Sequence, residues 1–276
     1  INFGDGTQNS IIDALITTKI AGEGKLTFNG GVTVEKSIGT QLLPVQEVRF
    51  ISADPANFIN INGDVFSNEI FLGGSLRPSN GVTLRSSQNT IHVYNNHIFD
   101  LGSSTLNFGG TAINDDNSKI TINSTYSAAV GVDALTAGHI EMIEEGDSID
   151  FTNSSDLIFN ITEAPLTPLP VAGQTRSFDM FVENGGQLTL NPTATINSSN
   201  PFVTWSFDSK TGVLSQDLVP EPVVVLKNIV NDQDQNIDII ANSSVSSASS
   251  ASSAPITEIL NIAANNGAAA AEEAIE

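Results

Sequence analysis

Cysteine is absent from the 276 residues. That excludes a disulfide framework, a thiolate metal site and a cysteine nucleophile. It leaves the compartment open, and it suits a chain that crosses a membrane unfolded and folds on the far side. Basic residues are scarce: 10 Lys and Arg stand against 31 Asp and Glu, a net charge of -21. Nucleic acids and anionic membranes both reward clusters of Lys and Arg, so this balance argues against either as a partner. Charged residues make up 15% of the chain, below the usual share of about 25%. Asn, Ser, Thr and Gly carry the polarity instead, and they suit turns and solvated strand faces better than helix interiors. No apolar run approaches the roughly 18 residues of a membrane-spanning helix. The chain opens at Ile1 with no basic-then-apolar leader, which reads as an internal segment of a longer protein.

What is present is a succession of short apolar runs, each closed by Asn, Gly or Asp. They fall at 48–51, 58–61, 69–72, 82–84, 91–94 and 105–108. The run centres from Val48 to Ile59, Ile70 and Val82 lie about 11 residues apart, the rhythm of repeated short strands rather than of helices. Units of this kind bury little alone and become stable when neighbours stack on them. Strand parity places Leu26, Phe28, Val48, Phe50, Ile59, Ile61, Ile70, Leu72, Leu106 and Phe108 in one elongated core. Residues 25–30 and 105–110 match as an internal repeat, with 187–192 and 119–123 as weaker copies. Pro44, Pro55 and Pro78 are expected in connections. The spacing predicts an irregular parallel β-helix with rungs of about 20 residues. A β-sandwich is the alternative, since it too shows strands every 8–12 residues or so.

Further along, the pattern continues through Ile140, Met142, Ile149, Phe151 and Ile158. Residues 164–173 are Pro-rich and read as a protruding loop, and 201–214 read as a hairpin turning at 208–212. A last apolar run spans 223–230. Residues 242–254 are almost all Ser and Ala and predict a flexible linker. Beyond Pro255, Ile256, Ile259, Leu260 and Ala263 recur at helical spacing, and 268–275 are rich in Ala and Glu. The expected layout is a solenoid over 1–241, a linker over 242–254 and a helical tail over 255–276.

Ile38-Gly39-Thr40, Val48-Arg49-Phe50, the segment 59–65 and the Leu-Asn-Phe-Gly-Gly unit at 106–110 together resemble the passenger domains of bacterial autotransporters. The texture is most similar to that of rickettsial outer-membrane surface antigens. The resemblance implies a right-handed parallel β-helix, export through a C-terminal outer-membrane barrel, display at the bacterial surface and a role in adhesion. The barrel would lie beyond the helical tail.

Several side chains merit weighing as sites. His92, Tyr94 and His97 are close in sequence. His92 and His97 differ in strand parity and would face opposite sides, although Asn95-Asn96 reads as a turn that weakens this. A zinc site wants further ligands, and the third His of the chain is remote, so a structural role is expected. Glu141, Glu144, Glu145, Asp147 and Asp150 form an acidic run that could hold a hard cation; a solvated turn is the plainer reading. Residues 232–238 alternate carboxylates and amides like a calcium loop, but Ile237 and Ser243 occupy the positions that need Gly and Glu. The adjacent pairs Asp115-Asp116 and Glu144-Glu145 alternate faces on a strand and converge on no groove. The sequons at Asn123 and Asn160 are common by chance in so Asn-rich a chain. No catalytic, cofactor-binding or metal residue is therefore assigned. The expected function is a monomeric cell-surface structural and adhesive module, facing a host-cell surface protein or glycan and no nucleic acid. The alternative is a carbohydrate-active β-helix, either a polysaccharide lyase or a tailspike-like hydrolase.

Overall fold

The computed structural model describes residues 1–4, 9–54, 56–129, 134–171 and 173–219; they are all-β, with no helix among them. One sheet lines up Asn2–Phe3, Glu23–Asn29, Val45–Ile51, Val65–Gly73, Val82–Val93 and Thr105–Asn114. The strands skipped by that order form a second sheet: Ser10–Ile12, Val32–Val34, Ile59–Ile61, Ser75–Pro78, His97–Gly102, Ile120–Ser127, Leu157–Glu163 and Ala194–Ser198. Neighbours along both sheets are parallel. The chain thus visits one wall, crosses to the other and returns one level higher, which is a β-solenoid.

The walls number three rather than two. The pairing of Val65–Gly73 with Val82–Val93 shifts register between Ser67 and Glu69. That of Val82–Val93 with Thr105–Asn114 shifts between Gly109 and Thr111. A bulge of this kind bends a strand, so the two halves of each long strand serve adjacent walls. At the next level the halves separate: residues 105–108 pair with His139–Met142, and 111–113 with Ser148–Phe151.

Stacking aligns like with like. Leu26, Val48, Ile70, Ile91, Ala112, Ile149 and Leu188 form one column. Phe28, Phe50, Leu72 and Val93 form the next. The Phe3, Phe28 and Phe50 rings stack with centroids 4.9 and 5.3 Å apart. All ten side chains expected in the core are there, none above 3% exposed. Each such burial contributes about 1.5–3 kcal/mol.

The sequence rhythm needs re-reading in this light. Phe28, Phe50 and Leu72 are 22 residues apart, so the 11-residue spacing is half a rung. Higher up the rung lengthens: Ile122, Phe159 and Ile196 are 37 residues apart. The anticipated 20-residue rung is too short everywhere in this register. The internal match of 25–30 with 105–110 is also not a structural repeat. Leu26 and Phe28 stack on Val48 and Phe50, whereas Leu106 and Phe108 stack on Val82 and Leu84 on a different wall. Apolar alternation followed by Gly marks a strand leaving a wall, whichever wall it is. Ile158 is likewise an outer residue, flanked by the buried Leu157 and Phe159. Pro78 closes the strand Ser75–Pro78 instead of lying outside it.

Glycine is obligatory where levels touch. Gly39 has φ +68°, and a Cβ there would sit 2.2 Å from the Phe66 carbonyl oxygen. At the far end, Arg176–Asp179, Val213–Leu218 and Val203–Asp208 form a small antiparallel sheet. This is the anticipated hairpin with a third strand added. It seats Phe207 on Phe159 (4.7 Å between centroids) and Trp205 on Tyr126 (5.1 Å). The antiparallel content is thus a cap, and the walls are parallel, against the sandwich alternative. The Pro-rich stretch 164–173 is tethered rather than free-standing: Leu169 is buried against Phe202 and Val203, and the Pro168 carbonyl accepts from Arg176. Leu166, at φ +65°, is its exposed tip. The apolar run at 223–230, the acidic loop at 232–238, the linker and the tail helix lie outside the described residues, as do both boundaries after residue 219.

Candidate functional surface

Because successive strand residues alternate between core and solvent, every core column has an outer column beside it. On the wall carrying Leu26 and Phe28, the outer column runs Thr27, Arg49, Phe71, His92. The Arg49 guanidinium lies 4.0 Å above the Phe71 ring, and the His92 ring stacks on its other face at 4.4 Å, tilted by 8°. His92 Nδ1 pairs with Asp115 Oδ2 at 2.6 Å. Glu47 accepts from Arg49 Nε at 2.6 Å and from Lys25 Nζ at 3.0 Å. The Arg49 hydrogen bond holds the Glu47 carboxyl below the usual carboxylate range, against the opposing effect of burial. Tyr94 lies flat on Gly73, where a Cβ would come within 2.5 Å of its ring. Burial raises the Tyr94 hydroxyl above the usual phenol value. Both faces of Phe71 are occupied, so this column is a closed stack and offers no open aromatic platform.

His97 belongs elsewhere. Asn95 and Asn96 adopt φ +58° and +54° and turn a corner, so His97 starts a strand on the next wall with its ring in the core, 1% exposed. Its Nδ1 accepts from the Gly74 amide at 3.3 Å, while Nε2 finds no partner among the described residues. Burial pushes its pKa down to about 3. The corner, and not strand parity, therefore separates His92 from His97. His139 is a third, distant case, with Nδ1 on the Ala137 carbonyl.

The acidic run is distributed among local tasks. Asp147 is 8% exposed, and its two oxygens accept from the backbone amides of Gly110, Ile143 and Glu144. Glu144 receives both terminal nitrogens of Arg85 at 2.9 Å, which lowers its carboxyl pKa. Asp150 caps Thr152, and Glu141 accepts from Asn184. Among the described residues no three His, Cys, Asp or Glu side chains gather as metal ligands would.

On the third wall the outer column is polar and continuous. Asn60, Arg77, Asp100, Asn123, Asn160 and Asn197 occupy successive levels. Arg77 Nε donates to Asp100 at 2.6 Å and Asn123 to the other Asp100 oxygen at 3.2 Å. Asn160 donates to Asn123 and Asn197 to Asn160, each at 2.9 Å. Both sequon asparagines thus spend their amide nitrogens within an amide ladder. The sequence held a signal for this ladder that the reading missed: Ile122-Asn123, Phe159-Asn160 and Ile196-Asn197 recur at the 37-residue rung length.

Where cap meets solenoid there is a buried polar junction. Tyr126 donates to Glu163 at 2.5 Å and accepts from Gln216 at 2.9 Å, and Asn200 also donates to Glu163. Burial and then Glu163 raise the Tyr126 hydroxyl far above its usual value. This junction fixes the cap and is shut off from solvent. None of its members was singled out from the sequence, because they meet only through contacts 37 to 90 residues apart.

No family model matches the chain, and no solved structure matches it. Among curated proteins, the outer membrane protein A of Rickettsia conorii is 27% identical over 146 residues, which takes in 48% of this chain and 7% of that protein. The chain therefore spans a small fraction of the length of the relative it matches.

Proposed function

We propose that the chain is an exported structural segment at the bacterial cell surface, part of an autotransporter passenger. The observation that carries this reading is the similarity to a rickettsial outer membrane protein, found in a chain that folds as a parallel β-solenoid. The solenoid is suited to the task in two ways. Its contacts run from each level to the next, so it can fold progressively as a chain emerges. Its outer columns are polar or internally stacked, so it stays soluble without a partner. Its work is to hold other regions of the surface protein away from the cell and to take part in adhesion to a host-cell surface protein or glycan. We propose no catalytic role: the acidic and imidazole groups described above are each engaged in caps, ion pairs or stacks.

The test is membrane-impermeant amine labelling of intact cells producing the whole parent protein. Lys36, with 60% of its side chain exposed, is a suitable reporter. Labelling of Lys36 in intact cells is the expected result. Labelling only after lysis would overturn the assignment.

A further inference from the structure

The geometry points to a binding site for a neutral oligosaccharide in the groove beside Arg77 and Asp100. This inference goes beyond the surface assignment and does not depend on it. The groove has a volume of about 340 Å³ and lies on the third wall, where Asn60, Asn62 and residues 77–80 face the turn 101–104. That is near the lower end of the range for small-molecule sites and suits one or two sugar rings rather than a long chain.

Its planar side chains are held at one end and open at the other. Arg77 is fixed by Nε on Asp100 and by the Phe58 ring, 4.3 Å beneath its guanidinium carbon. Its two terminal nitrogens have no hydrogen-bond partner among the described residues. Asn60 donates its amide to Thr33 and leaves Oδ1 open. Asn80 accepts the Thr105 amide on Oδ1 and leaves its nitrogen open. The hydroxyls of Ser103 and Ser104 add donor-acceptors that need only rotate. The two turns that form the rim are themselves tied, through Gly81 N to the Thr105 carbonyl at 2.8 Å and Thr105 N to Asn80 at 2.9 Å. A groove already fixed in shape loses little conformational entropy on binding.

The chemistry of the occupant follows from what the groove balances. Arg77 and Asp100 cancel, so an anion meets a guanidinium already paired, within a chain of net charge -21. A cation meets that same guanidinium. An apolar ligand finds only Pro78 and Leu101 among the polar groups lining the groove. Vicinal hydroxyls, each both donor and acceptor, match open guanidinium, amide and hydroxyl groups at fixed positions.

The test uses the whole 276-residue chain, isotope-labelled, titrated with maltotetraose, chitotetraose and lacto-N-tetraose, and with a heparin tetrasaccharide as the acidic control. At least one neutral probe is expected to give saturable amide shifts at 77–81 and 100–105, with Kd of about 1 mM. Arg77→Lys keeps the charge and removes the open nitrogens, and is expected to weaken binding about tenfold. Ser103→Trp fills the groove from an exposed position and is expected to abolish binding while the far-ultraviolet circular dichroism is unchanged. Three results would each overturn the proposal: no neutral probe shifts these amides, only the acidic tetrasaccharide does, or binding survives Ser103→Trp in the folded protein.

Discussion

The lower and upper halves of the solenoid solve one packing problem with different amounts of chain. Up to Asn114 a level takes 21 to 25 residues; above it, 34 to 39. The core columns are indifferent to this. Ile91, Ala112, Ile149 and Leu188 still stand one above another. The extra residues go into corners, where they build the capped turn around Asp147, the tethered stretch 164–173 and the small antiparallel sheet. A level is therefore defined by what it stacks on, and loop length is free so long as the strand returns in register. The halves differ in exposure to failure: a lower level has neighbours on both sides, whereas the topmost level depends on the cap.

The sharpest way to break that comparison is to place a carboxylate in each half. Ile70→Asp leaves an unpaired charge in a fully buried column. It is expected to cost more than about 4 kcal/mol and to melt several levels together. Leu190→Asp sits under the cap at 6% exposure. It is expected to loosen the cap and the last level while amide protection below Asn114 persists. Equal loss of protection along the chain in both variants would show a single cooperative core instead.

Asp147 belongs to the upper half alone and tests whether long corners need their own fastening. Asp147→Ala strands three backbone amides, at an expected cost of about 3 kcal/mol. Hydrogen exchange is expected to rise first at Gly110, Ile143 and Glu144; exchange unchanged at those three amides would mean the corner is held by stacking alone.

His97 tests the lower half by pH. Its folded pKa lies near 3 against an ordinary value of 6.5, so the unfolded chain takes up the proton first. Its contribution is complete above the unfolded value and falls as pH drops from 6.5 toward 3. The expected slope is about 1.4 kcal/mol per pH unit. Denaturant melts at pH 7, 6 and 5 on the native chain and on His97→Gln isolate it, since other titrating groups are common to both. Parallel pH profiles for the two proteins would mean that His97 is not buried neutral.

The smallest effect is expected on the outer ladder. Asn160→Ala removes two amide contacts that are partly solvated and is expected to cost about 1 kcal/mol. A loss as large as that of Asp147→Ala would make the ladder a principal support rather than an outer seam.

The inward residues were legible because strand parity is local: Leu26 and Phe28 declare their face within five residues. The closing hairpin was legible for the same reason. The walls were not, since Leu106-Asn107-Phe108 reads like Leu26-Thr27-Phe28 while serving another wall, and only the stacking partner tells them apart. The groove at Arg77 was invisible for a related reason. It assembles Asn60, Arg77 and Asp100 from three levels, and no motif records a contact that arises by winding. The polar ladder was hidden behind sequon spelling, although its 37-residue recurrence was present throughout.

Because parallel strands repeat every 4.8 Å or so, the solenoid works as a ruler graduated in levels, not in residues. The chain spent between Asn114 and Leu190 advances the rod by two graduations, from the level of Asn114 to that of Phe151 and then of Leu190. The same stretch of chain at the lower rung length would advance it by more than three. Related surface proteins of unequal chain length can therefore hold their tips at equal height, and a change in reach requires adding or deleting a whole turn of the coil.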